Sequence, residues 1–130
     1  MSVTNFLHLC ETGGKFDIRT FGEEIAKQYL GTETEQRQSK SLAYDIAWSR
    51  YADRFWFELR LNRTRRTLAV EYFHSENRIR DYAHLILWIR QYFPSEQEVI
   101  LVDETNAETM LLSPEAAPAD IEAWIFRVGI

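Results

Sequence analysis

Histidine and cysteine side chains could do chemistry at the start of this chain. His8 and Cys10 are two residues apart, so on a strand they would lie on the same side. Two ligands do not make a zinc site, and no further Cys or His pair follows at metal-binding spacing. We therefore interpret both residues as structural, and we expect neither a metal nor a cofactor.

Two further histidines, His74 and His84, flank the start of a predicted helix. On that helix His84 falls on the side of Asp81 and Trp88. A histidine beside a carboxylate can act as an acid or base near neutral pH. No nucleophile and orienting group can be placed with either histidine, so we predict a surface or capping role and no enzyme activity.

Carboxylates are densest near the end of the chain, at Glu96, Glu98, Asp103, Glu104 and Glu108. Oxygen ligands suit calcium or magnesium, but the Asp-x-Asp-x-Asp-Gly run of a calcium loop is absent. The group is therefore interpreted either as a solvated surface or as a partner-binding surface.

Four arginines crowd one predicted turn: Arg60, Arg63, Arg65 and Arg66. With Trp56 nearby, they could hold phosphate or a single nucleic-acid strand. Pairing inside the molecule, with Glu58, Glu71 and the acidic C-terminal third, is the favoured interpretation. The formal net charge of −5 also argues against a general nucleic-acid binder.

The charges are sorted along the chain. Residues 50–90 carry nine Arg and five acids, whereas residues 91–130 carry eight acids and only Arg127. A surface of one sign steers association with an oppositely charged molecule. The pattern therefore favours a binding protein whose partner is basic.

The elements that must position these groups follow from hydrophobic periodicity. Alternation predicts strands over residues 3–11, 42–49, 55–61, 68–73, 98–103 and 109–112, and helical spacing predicts helices over 17–31, 77–93 and 118–125. The polar residues 32–41 are predicted to form an exposed loop. The order β-α-β-β-β-α-β-β-α predicts a single α+β domain over 1–130, with helices packed on a largely antiparallel sheet.

The predicted central helix carries two apolar stripes on nearly opposite sides. One stripe contains Leu85, Trp88 and Tyr92. Such a helix is either deeply buried or gives one face to a partner. Burial in the core is the favoured interpretation, and a dimer or partner interface is the alternative.

The cellular compartment is constrained by what the sequence lacks. Cys10 is the single cysteine, nothing resembles a secretory leader, and the longest apolar run, Leu85 to Ile89, is too short to span a membrane. A cytoplasmic protein without membrane or nucleic-acid partners is expected.

The last third resembles bacterial immunity proteins of contact-dependent inhibition and polymorphic toxin systems, mainly over residues 92–126. A helix ends in Tyr-Phe-Pro-Ser at 92–95 and is followed by the acidic strand Glu-Val-Ile-Leu-Val-Asp at 98–103. A returning strand at 110–113 and a proline-led helix over 118–124 complete the similarity.

The resemblance implies a protein that binds a cognate toxin domain, chiefly a nuclease, and occludes its basic active-site cleft. An acidic surface can occupy such a cleft in place of nucleic acid. The charge partners it suggests are Glu98, Asp103, Glu104, Glu108, Glu115, Asp120 and Glu122, with Trp88 or Trp124 as an aromatic anchor.

Two other functions stay open. Small acidic chaperones of type III secretion have a similar order of elements and would bind an extended effector segment, although this chain differs by opening with a strand. A small hydrolase using His74 or His84 is the third hypothesis. The neighbouring reading frame would separate the first two, because it encodes a toxin in one case and a secreted effector in the other.

Overall fold

The computed structural model describes residues 2–11, 13–36 and 43–129. Its strands are β1 (Ser2–Leu9), β2 (Glu33–Gln36), β3 (Tyr44–Ala52), β4 (Phe55–Asn62), β5 (Thr67–His74), β6 (Val99–Asp103) and β7 (Glu108–Leu111). They form one antiparallel sheet in the order β2-β3-β4-β5-β1-β6-β7. The first strand therefore lies between the β2–β5 meander and the β6–β7 hairpin.

Three helices are present in the described part of the chain: α1 (Ile18–Gln28), α2 (Arg78–Arg90) and α3 (Pro118–Val128). The predicted α+β class and order of elements are confirmed. The short strand β2 is an addition within the segment predicted as a loop, and its four residues are all exposed. Residues 37–41 of that loop and the predicted strand start Leu42 lie outside the described residues.

Side chains alternate between the two faces of the sheet, as the strand period requires. In β1, Leu7 and Leu9 are fully buried, whereas Phe6 and His8 are partly exposed. The same alternation buries Phe57, Leu59 and Leu61 in β4 and leaves the residues between them partly exposed. All three helices pack on the face that carries the buried set, and we call the other side the open face.

The helix boundaries have local causes. Asp17 caps α1, where its carboxylate accepts a 3.2 Å hydrogen bond from the backbone N–H of Thr20. Gly31, with a φ of +92°, takes the chain out of that helix in a conformation that glycine adopts without strain. Pro118 opens α3, because a proline at the first helical position removes no hydrogen bond.

The central helix α2 is buried on two sides. Leu85 is fully buried, and the ring of Trp88 lies 5.2 Å from that of Phe21 and 5.5 Å from that of Tyr29, both supplied by the segment of α1. Helix α3 packs against α2 as well. The two apolar stripes of α2 are therefore both used inside the molecule, as the favoured interpretation predicted.

Two buried arginines hold loops to the core. Arg90 is 1% exposed and donates to the backbone carbonyls of Leu112, Phe93, Pro94 and Gln97. Arg50 is 8% exposed and donates to three carbonyls in the same way. A buried cation needs such partners, so each arginine fixes the course of the loops around it.

None of the helices in the described residues has the length and apolar character needed to cross a membrane.

Candidate interaction surface

The helices of the described chain leave the open face of the sheet uncovered. Its apolar part lies on β1, β6 and β7. Phe6 is paired with Val102, and Ile100 is paired with Leu111. The first three are partly exposed and Leu111 is 58% exposed. We call Phe6, Ile100, Val102 and Leu111 the apolar patch.

A shallow depression of about 230 Å³ adjoins this patch. It is lined by Phe6, His8, Tyr44, Thr67 and Val102. At its floor, Nδ1 of His8 lies 2.7 Å from the hydroxyl oxygen of Thr67. Burial, and then the nearby Arg66 guanidinium, lower the pKa of His8. The histidine is therefore held toward its neutral form.

Carboxylates surround the apolar patch. Glu98 and Glu104 stand at the two ends of β6, and both are exposed. Tyr44 lines the depression, and its pKa is raised by burial and then by the negative charges of Glu71 and Glu104. We call Glu71, Glu98 and Glu104 the acidic rim.

An aromatic group occupies the opposite end of the open face. Its members are Tyr51, Trp56, Tyr72 and His74, on β3, β4 and β5. The ring of Tyr51 lies 6.3 Å from that of Trp56 and 6.4 Å from that of Tyr72, and Trp56 lies 5.2 Å from His74. Partial desolvation at the sheet surface, and then the Glu58 carboxylate, raise the pKa of Tyr51 to about 12, although more than half of the side chain is exposed.

Tyrosine and tryptophan are the residues that protein interfaces favour, because they combine a large apolar area with a polar group. Between the aromatic group and the apolar patch lies Arg60, which sits beside Ala47 and Ala69 in the pairing register. Arg60 is the single Lys or Arg on the open face among the described strand residues. The open face therefore combines apolar, aromatic and mainly acidic groups.

The structure distributes the seven predicted charge partners over several places. Glu98 and Glu104 border the open face. Glu108 lies 3.4 Å from Arg127 of α3, and the Asp120 carboxylate accepts from the backbone N–H of Ala117 at the start of that helix. Glu115 accepts from the Ser113 hydroxyl in the loop before α3, and Glu122 lies on α3 itself. They do not form one surface.

Asp103 has an internal role. It is 4% exposed and lies on the helix-covered face with Val99 and Leu101. Its carboxylate accepts hydrogen bonds from the side chains of Asn5 and Asn106. A side chain so placed is not accessible to a partner in the folded protein.

The two predicted aromatic anchors pack against the core instead of forming an exposed pair. Trp124 is 3% exposed, and Trp88 is partly buried among the rings of Phe21, Tyr29 and Tyr92. Exposed aromatic area is found instead at Tyr51 and at Phe126, which is 77% exposed on α3.

The remaining chemical candidates are dispersed. His74 and His84 are both exposed, one on β5 and one on α2. Cys10 is exposed, and its sulfur lies 3.9 Å from the backbone oxygen of His8. Within residues 2–11, 13–36 and 43–129, no three His, Cys, Asp or Glu side chains are grouped as metal ligands.

Two arginines of the basic turn, Arg65 and Arg66, are held inside the molecule by groups other than the acids that the sequence suggested. Arg65 makes a two-point contact with the Asp45 carboxylate, at 2.5 and 3.1 Å. Arg66 donates to the backbone oxygens of Leu9 and Glu11. These arginines tie the β4–β5 turn to β3 and to the end of β1.

The sequence held a signal for the open face. Its residues occupy the strand positions between the buried ones, and at several of these positions the side chain is apolar or aromatic. In β1 both alternating sets are partly apolar, which indicates a strand with two semi-buried faces. The strand order that gathers Phe6, Val102 and Tyr44 on one surface is not visible in any local pattern.

Comparison of the chain with protein-family models, with curated proteins and with solved structures finds no match in any of the three.

Proposed function

We propose that this chain is an immunity-type binding protein that neutralises a cognate bacterial toxin domain, and that the open face of its sheet supplies the binding surface. The observation that carries the proposal is the apolar patch bordered by the acidic rim. Exposed apolar patches with a polar border are typical of protein-binding sites on small proteins.

The acidic rim specifies the partner's charge. Carboxylates at Glu71, Glu98 and Glu104 favour a partner whose contact surface has apolar groups at its centre and basic groups at its border. A nuclease cleft that binds nucleic acid has such a border. Covering the cleft would exclude the substrate, so inhibition needs no catalysis by this chain.

Nucleic acid itself is a poorer partner for the same surface. Stacking on Tyr51 and Trp56 is geometrically available, but phosphate binding requires several cations along the path of the strand. In the described strands the open face offers Arg60 alone, with Glu58 on the same strand. A protein partner is therefore favoured, and the cytoplasm is the compartment where an incoming nuclease toxin would have to be met.

The proposal is tested with the domain encoded by the neighbouring upstream reading frame. That domain is produced in cells with and without this chain, and growth and nuclease activity are measured. We expect the wild-type chain to restore growth and to bind the purified domain. A Val102→Glu variant, which places a charge in the apolar patch, should lose binding without loss of folding.

Phe126→Glu is the matched control, because it adds the same charge at an exposed apolar residue on α3, away from the open face. Binding lost in both variants, or in neither, would contradict the open face as the interface. A neighbouring frame that encodes a secreted effector instead of a toxin would favour the chaperone hypothesis.

A further inference from the structure

In the described part of the chain, the last strand of the sheet has one edge that no other strand pairs with. β7 pairs with β6 on one side, and no described strand lies on its other side. The backbone N–H of Leu112 donates a 2.8 Å hydrogen bond to the backbone oxygen of Val99. Because antiparallel strands alternate between inward and outward backbone groups, Met110 also faces β6, whereas Thr109 and Leu111 point their N–H and C=O groups outward.

The side chains at this edge do not protect it. Thr109 and Leu111 are exposed and lie on the open face, so the edge continues the apolar patch. The other edge strand, β2, is protected in the usual way, since Glu33–Gln36 is wholly polar and carries two carboxylates. Of the two edges, β7 is the one suited to accept a further strand.

The surroundings of β7 are mainly acidic, although Glu108 of β7 itself is paired with Arg127 of α3. Glu98 and Glu104 stand at the ends of the neighbouring strand β6. A groove of about 190 Å³ beside β7 is lined by Glu96 and Glu98, and also by Leu111 and Pro114. Arg90 also lines the groove, but its guanidinium is engaged by backbone carbonyls. The strand edge therefore lies in a region of negative charge.

We propose that β7 accepts an extended, basic segment of the partner protein as an eighth antiparallel or parallel strand. Backbone hydrogen bonds to Thr109 and Leu111 would supply the pairing, and alternate side chains of the segment would contact Leu111 on the open face. Lysine or arginine side chains would meet Glu98 and Glu104. A second copy of this chain is a poorer occupant, because two acidic edges would repel each other.

This inference rests on the proposed function, since it names how part of the partner is held. It is tested on the full chain with a short peptide of alternating lysine and valine as the probe, and with an alternating glutamate and valine peptide for comparison. We expect saturable binding of the basic peptide only. Amide hydrogen exchange at Thr109 and Leu111 should slow on binding, whereas exchange at Met110 should not change.

Thr109→Pro removes one outward N–H and leaves the bonds between β6 and β7 in place, because that N–H faces away from β6. The variant should bind the basic peptide about tenfold more weakly, the effect of one lost hydrogen bond together with a steric block. Thr109→Val keeps the N–H and the side-chain shape, so it should bind as the wild type does.

Three results would overturn the inference: no saturable binding of the basic peptide, equal binding by Thr109→Pro and Thr109→Val, or protection of these amides that rises with protein concentration before peptide is added. The last result would assign the edge to a second copy.

If toxin binding is lost in Val102→Glu but unchanged in Thr109→Pro, the edge inference fails and the proposed function stands. If the peptide binds as expected but the upstream domain does not bind, the strand edge stands as a binding site and the proposed function fails.

Discussion

The side-chain amide of Asn5 donates a 3.0 Å hydrogen bond to the carboxylate of Asp103, and both residues are buried. The amide oxygen of Asn5 accepts in turn from the hydroxyl of Tyr82 at 2.5 Å. Asn106 donates to the other carboxylate oxygen through its backbone and side chain. A chain of hydrogen-bonded polar groups, buried at Tyr82, Asn5 and Asp103, therefore joins β1 and α2 to the exposed Asn106 in the β6–β7 turn.

Replacing Asp103 should destabilise the protein, because Asp103→Ala leaves the donors of Asn5 and Asn106 without their acceptor. The expected loss is about 2–3 kcal/mol in the free energy of unfolding. Urea denaturation measures it. Glu104→Ala, at the exposed neighbouring residue, is the control and should change stability by less than about 0.5 kcal/mol. Equal effects of the two substitutions would remove the structural role assigned to Asp103.

Arg90 offers a second test of the buried polar groups. In Arg90→Met the methionine side chain fills most of the space of the arginine's aliphatic part. The carbonyls of Leu112, Pro94 and Gln97 lose their hydrogen-bond donor. We expect a loss of about 2–4 kcal/mol from several unsatisfied groups. Arg19→Met, which removes the exposed contact with Glu23, should have almost no effect. A thermal melt of both variants is sufficient, and a stable Arg90→Met protein would contradict the assignment.

The stability of the fold should depend on the protonation of His8. Burial and Arg66 hold its folded-state pKa below the ordinary 6.5, so the unfolded chain binds a proton more readily than the folded one. Its contribution is therefore present above pH 6.5 and is lost as the pH falls from there toward the folded-state pKa. The His8→Gln variant should show a weaker dependence of unfolding free energy on pH over this window. Identical pH profiles for the two proteins would contradict it.

Association with the partner should be steered by the acidic rim. Reversal of Glu98 and Glu104 to Lys is expected to slow association and to reduce its dependence on salt, because charges are screened over about 10 Å at 0.1 M. Reversal of Glu23 on α1 and Glu122 on α3, which lie away from the open face, is the control, and stopped-flow mixing at several salt concentrations gives the rates. An unchanged rate in the first variant would make the rim a solvated surface. Asp103 is left out of the set because its reversal would test folding instead.

The chain should have no turnover of its own. His74 and His84 are exposed and lie on different elements, β5 and α2, which motivates a screen of the purified protein against hydrolase and nuclease substrates. Activity that disappears in His74→Ala or His84→Ala would refute the binding function and restore the hydrolase hypothesis.

Local patterns predicted the elements of the described chain except β2, but they did not predict the roles of single polar residues. The alternation that predicted β6 also places Asp103 on the same face as Val99 and Leu101. Its burial could therefore have been predicted from its position in the strand. The sequence nevertheless favours a surface position for Asp103, because a charged side chain is seldom buried without hydrogen-bond partners. Its partner Asn5 lies nearly a hundred residues earlier, and no local pattern connects the two. Arg90 was missed for the same reason, although it follows the buried Ile86 by one helical turn.

The candidate surface depends on strand order, which no local pattern contains. Hairpin neighbours such as β3 and β4 follow from short turns, whereas the insertion of β1 between β5 and β6 is a long-range pairing. Only that insertion brings Phe6 beside Val102 and completes the apolar patch. The sequence predicted an acidic binding surface, and the fold divides those acids among the rim, α3 and the buried network.

The central place of β1 has a consequence for how the protein is made. During synthesis the meander of β2 to β5 can form soon after it leaves the ribosome, but β1 stays unpaired on one side until β6 has emerged. Pairings of such large sequence separation slow folding and expose a half-finished sheet. A mutation that displaces β1 from the sheet would separate the β2–β5 meander from the β6–β7 hairpin. The continuity of the sheet therefore depends on the first nine residues and not on the acidic C-terminal third.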